Sequence, residues 1–276
     1  MVESRHEVHA VAVRDGTVVD AAGAPDLPVY MRSAAKPLQA LLLARDEPEL
    51  SVEELAIACA SHEAAPEQLD AVRRLLARSG SSEEDLECGE AGGSRLAHNC
   101  SGKHAGMLLV ARRRGWPLPG YRLEGHPLQR EIAALVSEAV GVPEKEIGRA
   151  TDGCGVVTFA VTLQAVATAF ARLAREELAG SDRVVAAMRT HPELVGGEGV
   201  ADTAFMRAVP NALAKRGAEG LLCAGLADGT GVAVKVVDGA NRAAGPGLAR
   251  FLGVEELVAA PVFNSRGDEV GAISAP

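Results

Sequence analysis

Glu7 to Val13 alternates polar and apolar residues, Asp15-Gly16 follows, and a second short apolar run covers Val18 to Ala21. This pattern predicts a β-hairpin closed by a two-residue turn. A third strand is predicted near Pro28 to Met31, after which the apolar period lengthens to that of helices. The predicted helices run over Leu38 to Ala44, Val52 to Cys59, Pro66 to Arg78, Gly106 to Arg113, Leu128 to Val140 and Thr158 to Leu178. Strand patterning returns at Leu221 to Leu226 and Val232 to Val237, on either side of Ala227-Asp228-Gly229-Thr230-Gly231. A short helix around Leu248 to Leu252 precedes a last strand pair, Val262-Phe263 and Val270 to Ile273.

Strands at both ends and helices between them predict an α+β fold with one antiparallel sheet built from both termini. The chain reads as a single domain, 1–276, in which sheet segments 1–37 and 216–276 enclose a helical subdomain of approximately residues 38–215. The active cleft is expected between sheet and subdomain. No internal repeat, low-complexity stretch or hydrophilic linker interrupts this organisation.

A hydrophobic fraction of 47% with 24% charged residues is that of a globular protein, and no apolar run approaches the roughly 20 residues of a bilayer span. Met1 to His6 lacks the basic, apolar and small-residue regions of a leader, so cytoplasmic residence is expected. A net charge of −9 opposes a nucleic-acid partner, whose affinity depends on Lys and Arg contacts to phosphates. A small-molecule partner is expected instead. The five cysteines, Cys59, Cys88, Cys100, Cys154 and Cys223, form neither C-x-x-C pairs nor a disulfide framework. Cys59 and Cys223 lie in apolar segments and read as core; Cys88 has no assigned role.

Only Lys36, Lys103, Lys145, Lys215 and Lys235 among the 28 basic residues are lysines. An ammonium can lose its proton when desolvated, whereas a guanidinium cannot, so each lysine is a separate chemical question. Ser33-Ala34-Ala35-Lys36 is a Ser-x-x-Lys at a strand-to-helix passage. Residues three apart share a helical face, which lets the amine approach the hydroxyl, while Pro37 makes the first turn tight or irregular. Lys36 needs a depressed pKa to act as base, and a second ammonium nearby supplies it. Lys235, flanked by valines on both sides, is the candidate.

Ser61 in Ala60-Ser61-His62-Glu63 reads either as a helix cap or as a second functional hydroxyl. A Ser-His-Asp triad with His62 is rejected, because adjacent residues point apart and no G-x-S-x-G elbow is present. His98-Asn99-Cys100-Ser101-Gly102-Lys103-His104 fails the phosphate-loop pattern. Cys100 and the Gly-flanked Cys154 are candidate zinc thiolates, with His98, Lys103, His104 and Asp152 eligible as a third ligand. The loop Val195-Gly196-Gly197-Glu198-Gly199 is either a plain connection or a source of backbone N–H groups for a carboxylate.

Met31 to Pro37, Ala60 to Glu63, Asn99 to Met107, Asp152-Gly153-Cys154-Gly155 and Gly196 to Gly199 together resemble the rhizobial-type (class 3) L-asparaginases in order and spacing over nearly the whole chain. Asn99 to Met107 is the most specific block and Ser-x-x-Lys the least. The resemblance implies a fold similar to serine β-lactamases and glutaminases, hydrolysis of L-asparagine to L-aspartate and ammonia, and a homodimer. It also implies two Ser-Lys pairs, carried over to Ser33 with Lys36 and Ser61 with Lys235, and zinc held by Cys100, Lys103, Cys154 and water. Val200 departs from the basic residue expected after the Gly-rich loop. Arg32 and Asp152 are the candidates for the α-carboxylate and ammonium of the substrate. The competing readings are a β-lactamase-like or glutaminase-type serine hydrolase and a non-catalytic zinc-binding protein. A missing Lys-Thr-Gly strand opposes the first of these.

Overall fold

A computed structural model describes residues 1–276. The opening hairpin is present as β1 (Val8–Arg14) and β2 (Thr17–Ala22), joined through Asp15 and Gly16, both with positive φ as this turn requires. Then follow β3 (Pro28–Tyr30), α1 (Lys36–Asp46), α2 (Val52–Ala58), α3 (Pro66–Ser79), α4 (Ser101–Arg113) and α5 (Pro127–Val140). The middle continues through β4 (Gly148–Thr151), β5 (Val157–Thr162), α6 (Leu163–Ala174), α7 (Ser181–Thr190), α8 (Pro192–Val195) and α9 (Ala201–Ala208). The chain closes with β6 (Leu213–Arg216), β7 (Leu221–Gly225), β8 (Gly231–Val236), α10 (Asn241–Leu252), β9 (Ala259–Phe263) and β10 (Glu269–Ser274).

The main sheet is antiparallel in the order β2-β1-β8-β7-β6, so the opening hairpin meets the predicted β7–β8 hairpin in it, while the final pair β9–β10 forms a separate two-stranded sheet. Helices α6 and α10 pack on the same three strands, β1, β7 and β8, and every residue of β7 is buried. Helix α6 comes so close that a Cβ on Gly231 would lie 1.9 Å from the Ala167 carbonyl oxygen. Helices α1 to α5 and α7 form the block beside the sheet. No helix is long and apolar enough to cross a membrane.

Three parts of the fold differ from the sequence reading. A second antiparallel sheet, β3-β5-β4, pairs the predicted third strand with two strands, β4 and β5, that stand inside the region read as helical. Its central strand occupies the start of the segment Thr158 to Leu178: Val157, Phe159 and Val161 alternate inward, and only after Thr162 caps Ala165 N–H (3.3 Å) does α6 begin. The four-residue β6 was also unforeseen, as were α7 and α8. Since β6 starts at Leu213, a boundary at 215 would cut this strand.

Candidate active site

The small β3-β5-β4 sheet is what joins the motifs. Strand β3 pairs with β5 and delivers the chain to Met31, whose N–H donates to Phe159 O (2.8 Å), and Arg32 N–H donates to Thr158 Oγ1 (3.0 Å). Arg32 has φ +49°, a left-handed conformation that a non-glycine residue adopts at a cost of about 1–3 kcal/mol, immediately before Ser33. A 3₁₀ turn, Arg32–Ala35, then leads into α1, so the irregular first turn expected from Pro37 is present. The β4–β5 hairpin carries Asp152 and Cys154 at its tip, where Gly155 takes φ +82°. Asp152 pairs with the Arg32 guanidinium, so the two candidate substrate contacts bind each other.

Ser61 leaves the C-terminal end of α2, whose start is fixed by a capping box between Ser51 and Glu54. It caps no helix. Its N–H donates to Val195 O (2.9 Å), and its hydroxyl lies between two amines, 2.9 Å from Lys36 Nζ and 3.0 Å from Lys215 Nζ. Lys36 also donates to Ala60 O (2.6 Å), and Lys215 to Arg216 O (3.1 Å), with Asp202 Oδ2 at 3.4 Å. Both lysines are buried. Burial pushes the Lys36 amine below its ordinary value, and burial also lowers Lys215, to about 7, against the opposing pull of Asp202.

This corrects the assignment of Lys235. That residue lies in the central strand β8, opposite His9 and Leu221, and turns its amine to Glu219 O (2.6 Å) and Val236 O (2.5 Å). It bonds neither serine. The lysine that meets Ser61 is Lys215, on the unforeseen β6. The turn residues Pro210-Asn211 before it and Gly217 to Gly220 after it were the available signal. Ser33 is half-buried and lines the cleft, while Lys36 bonds Ser61 rather than Ser33.

Cys100 is the N-cap of α4, and Lys103 lies in the first turn of that helix. Close packing sets the position of α4: a Cβ on Gly102 would lie 2.1 Å from Ile57 O in α2. Lys103 Nζ is 3.0 Å from Cys154 Sγ, and all three residues are buried. A hydrogen bond from Cys154 holds the Cys100 thiol well below its ordinary value, aided by the Lys36 and Lys103 charges, while the same bond pushes Cys154 up. Burial works against the Lys103 ammonium, but the two sulfurs outweigh it and raise its pKa. No group of three or more His, Cys, Asp or Glu side chains comes together to hold a metal; the set here is two thiols and an amine. Among the other eligible ligands, His98 Nδ1 accepts from Cys100 N–H (3.1 Å), and His104 Nδ1 bonds Tyr121 Oη (2.6 Å).

His62 is no triad member. Its Nδ1 accepts from Ala64 N–H (3.1 Å) and its Nε2 lies 2.8 Å from Ser101 Oγ. The Gly-rich loop takes the plainer of its two readings, a connection. The Gly196 and Gly197 N–H groups donate to Pro192 O (3.0 Å) and Glu193 O (2.9 Å), so neither is free for a carboxylate. Cys59, Cys88 and Cys223 are buried free thiols.

A cleft of about 970 Å³ opens on Arg32, Ser33, Ser61, Cys100, Asp152 and Cys154, and also on α10 and the β9–β10 hairpin. Among solved structures, one described as "EstCE1, a hydrolase with promiscuous acyltransferase activity" is similar at 13% identity with a TM-score of 0.43, covering 83% of this chain and 88% of that one. A search of curated proteins returns no match. The family described as L-asparaginase II matches residues 1–275, so the chain that brings these serines and thiols to one cleft, with the lysines bonded behind them, belongs to that family of amide-hydrolysing enzymes.

Proposed function

We infer that the chain hydrolyses L-asparagine to L-aspartate and ammonia through a serine activated by an uncharged lysine. The observation that carries this reading is the Ser61 hydroxyl shared by Lys36 Nζ (2.9 Å) and Lys215 Nζ (3.0 Å) beside the cleft. Two ammonium groups bonded to one hydroxyl at 2.9 and 3.0 Å are at most about 6 Å apart and repel by at least about 3 kcal/mol at an effective dielectric near 20, about two pK units. Burial adds to this, lowering both amines and favouring an uncharged member of the pair.

Ser61 is 4% exposed, whereas Ser33 is half-buried and lines the cleft, which supports Ser33 as the attacking residue. Neutral Lys36 takes the Ser33 proton as the oxygen bonds to the carboxamide carbon. The tetrahedral intermediate collapses by breaking the C–N bond, and Lys36 returns the proton to the departing nitrogen. Water then hydrolyses the aspartyl ester and restores Ser33. Ser61 and Lys215 keep Lys36 poised and relay protons. Arg32, anchored by Asp152, offers its remaining N–H groups to the substrate carboxylate.

The donor set of Cys100, Lys103 and Cys154 suits zinc, with water as fourth ligand: two sulfurs and one nitrogen are buried together, and a sulfur and the nitrogen already lie 3.0 Å apart. Bound there, the ion would supply positive charge that holds both thiolates and keeps the Lys103 amine neutral. The same reading carries a scaffold like those of serine β-lactamases and glutaminases, supported by the helical block set beside an antiparallel sheet. It also carries a homodimer in which the exposed Phe263 and Val270 are covered.

The test is ammonia release from L-asparagine and L-glutamine by metal-loaded and chelated protein, with Ser33→Ala alongside. The expected result is release from L-asparagine that Ser33→Ala lowers by about 10³-fold or more, with an aspartyl adduct trapped on Ser33. Unchanged activity of Ser33→Ala overturns the assignment of the nucleophile. No release from either amide overturns the reaction.

A further inference from the structure

Lys215 and Lys36 flank one hydroxyl, yet their surroundings are unequal. Lys36 Nζ has the Ala60 carbonyl and Ser61 as hydrogen-bond acceptors, with the Cys100 and Cys154 sulfurs nearby as the groups that favour its charge. Lys215 Nζ has Ser61, the Arg216 carbonyl and the carboxylate of Asp202. Asp202 is fully buried in the first turn of α9, where the helix N-terminus favours a negative charge. Its Oδ2 also accepts from Arg216 N–H (3.2 Å), while Oδ1 has no hydrogen-bond partner and lies 3.8 Å from an Arg216 guanidinium nitrogen. Arg216 Nη2 in turn donates to Ser61 O (2.7 Å) and Gly196 O (3.1 Å). One carboxylate therefore holds both residues of β6 that touch Ser61.

We propose that Asp202 is a positioning residue of this site: it fixes Lys215 Nζ on Ser61 and favours the charged form of that amine. This inference rests on the Ser-Lys reading above. The charged and titratable groups around Lys215 are Asp202 from α9, Arg216 from β6, Lys36 from α1, Cys59 from the end of α2 and Cys223 from β7. Of these, both thiols are held protonated by burial, which leaves Asp202 as the anion. Burial lowers Lys215 and Asp202 raises it, the balance falling at about 7.

The folded value lies below the ordinary 10.5, so between the two the unfolded chain binds more protons and stability rises with pH. The test measures unfolding free energy from pH 5 to 10 for wild type, Asp202→Asn, Asp202→Glu and the pair Lys215→Met with and without Asp202→Asn. In Asp202→Asn the rise is expected to begin about one pH unit lower or more, as for loss of a close counter-charge. Asp202→Glu is expected to restore part of the shift, and Asp202→Asn is expected to add no shift in the Lys215→Met background. With L-asparagine, Asp202→Asn is expected to lower kcat at least tenfold with little change in KM. A uniform loss of stability with the onset unmoved overturns the proposal, as does the same shift without Lys215. If Asp202→Asn does not fold alone, the proposal requires Lys215→Met with Asp202→Asn to fold, and its failure there counts against it. The stability readout needs no turnover, so absent ammonia release in wild type would count against the reaction and leave the role of Asp202 measurable.

Discussion

Lysine 215 shows how much a single buried amine depends on its immediate neighbours. Its charge is desolvated by a sheet and two helices, and only Asp202 opposes that cost. Lys215→Met is expected to lower asparaginase turnover by about 10²-fold or more, whereas Lys235→Met changes it less than twofold, because Lys235 bonds backbone carbonyls alone. Steady-state kinetics on the two variants separates them. His62 gives a second expectation. Accepting from Ala64 N–H leaves its Nε2 as the protonated nitrogen facing Ser101, and burial pushes its pKa down to about 4. The unfolded chain binds this proton from about 6.5 downward, so stability is expected to fall as pH drops from 6.5 to 4. Denaturant titrations across that range should show the fall, flattened in His62→Gln. Of the candidate residues legible in the sequence, Ser33, Ser61, Cys100 and Cys154 line one cleft, and Lys36 and Lys103 bond two of them from behind. Lys215 was not legible, because four residues of strand carry too little alternation to be seen, while the valines around Lys235 mark a central strand and nothing more.

At the scale of elements, two short strands decide what the helices cannot. Strands β4 and β5 fold Cys154 back toward α4, and β3 pairs with β5 to deliver Ser33. Their alternation was hidden because β5 runs directly into α6, so one apolar stretch changes period at Thr162 without a glycine or proline to mark it. The amphipathic helices α3 and α5 were easier to read, each starting at a proline and ending at a left-handed glycine, Gly80 and Gly141. Helix α4 depends on a different glycine. Gly102 lets the N-terminus of α4 approach Ile57 O, and Gly102→Ala is expected to cost about 3 kcal/mol, read as a lower denaturation midpoint. Because Cys100 and Lys103 flank that contact, zinc binding by this variant should weaken along with stability.

For the whole molecule, the pairing of the β1–β2 and β7–β8 hairpins into one sheet was legible, because both announce themselves by turn chemistry, whereas the last strand pair β9–β10 stands as a sheet of its own and β3 joins the small sheet. The cleft was not legible, since its far wall includes α10 and the β9–β10 hairpin, whose sequence carries no catalytic pattern. That hairpin exposes Phe263 and Val270. Light scattering is expected to find a dimer, and Phe263→Asp with Val270→Glu to shift it to monomer without loss of the fold.

The pairing of Val8 to Val13 with Val236 to Gly231 has a consequence for synthesis on the ribosome. The β1–β2 hairpin emerges well before its partner strand, which is made only after more than two hundred further residues, so an apolar strand edge waits unpaired while they are added. Folding of this chain is thereby governed by one late, long-range closure, and a nascent chain halted before β8 should aggregate or recruit a chaperone where the finished one does neither.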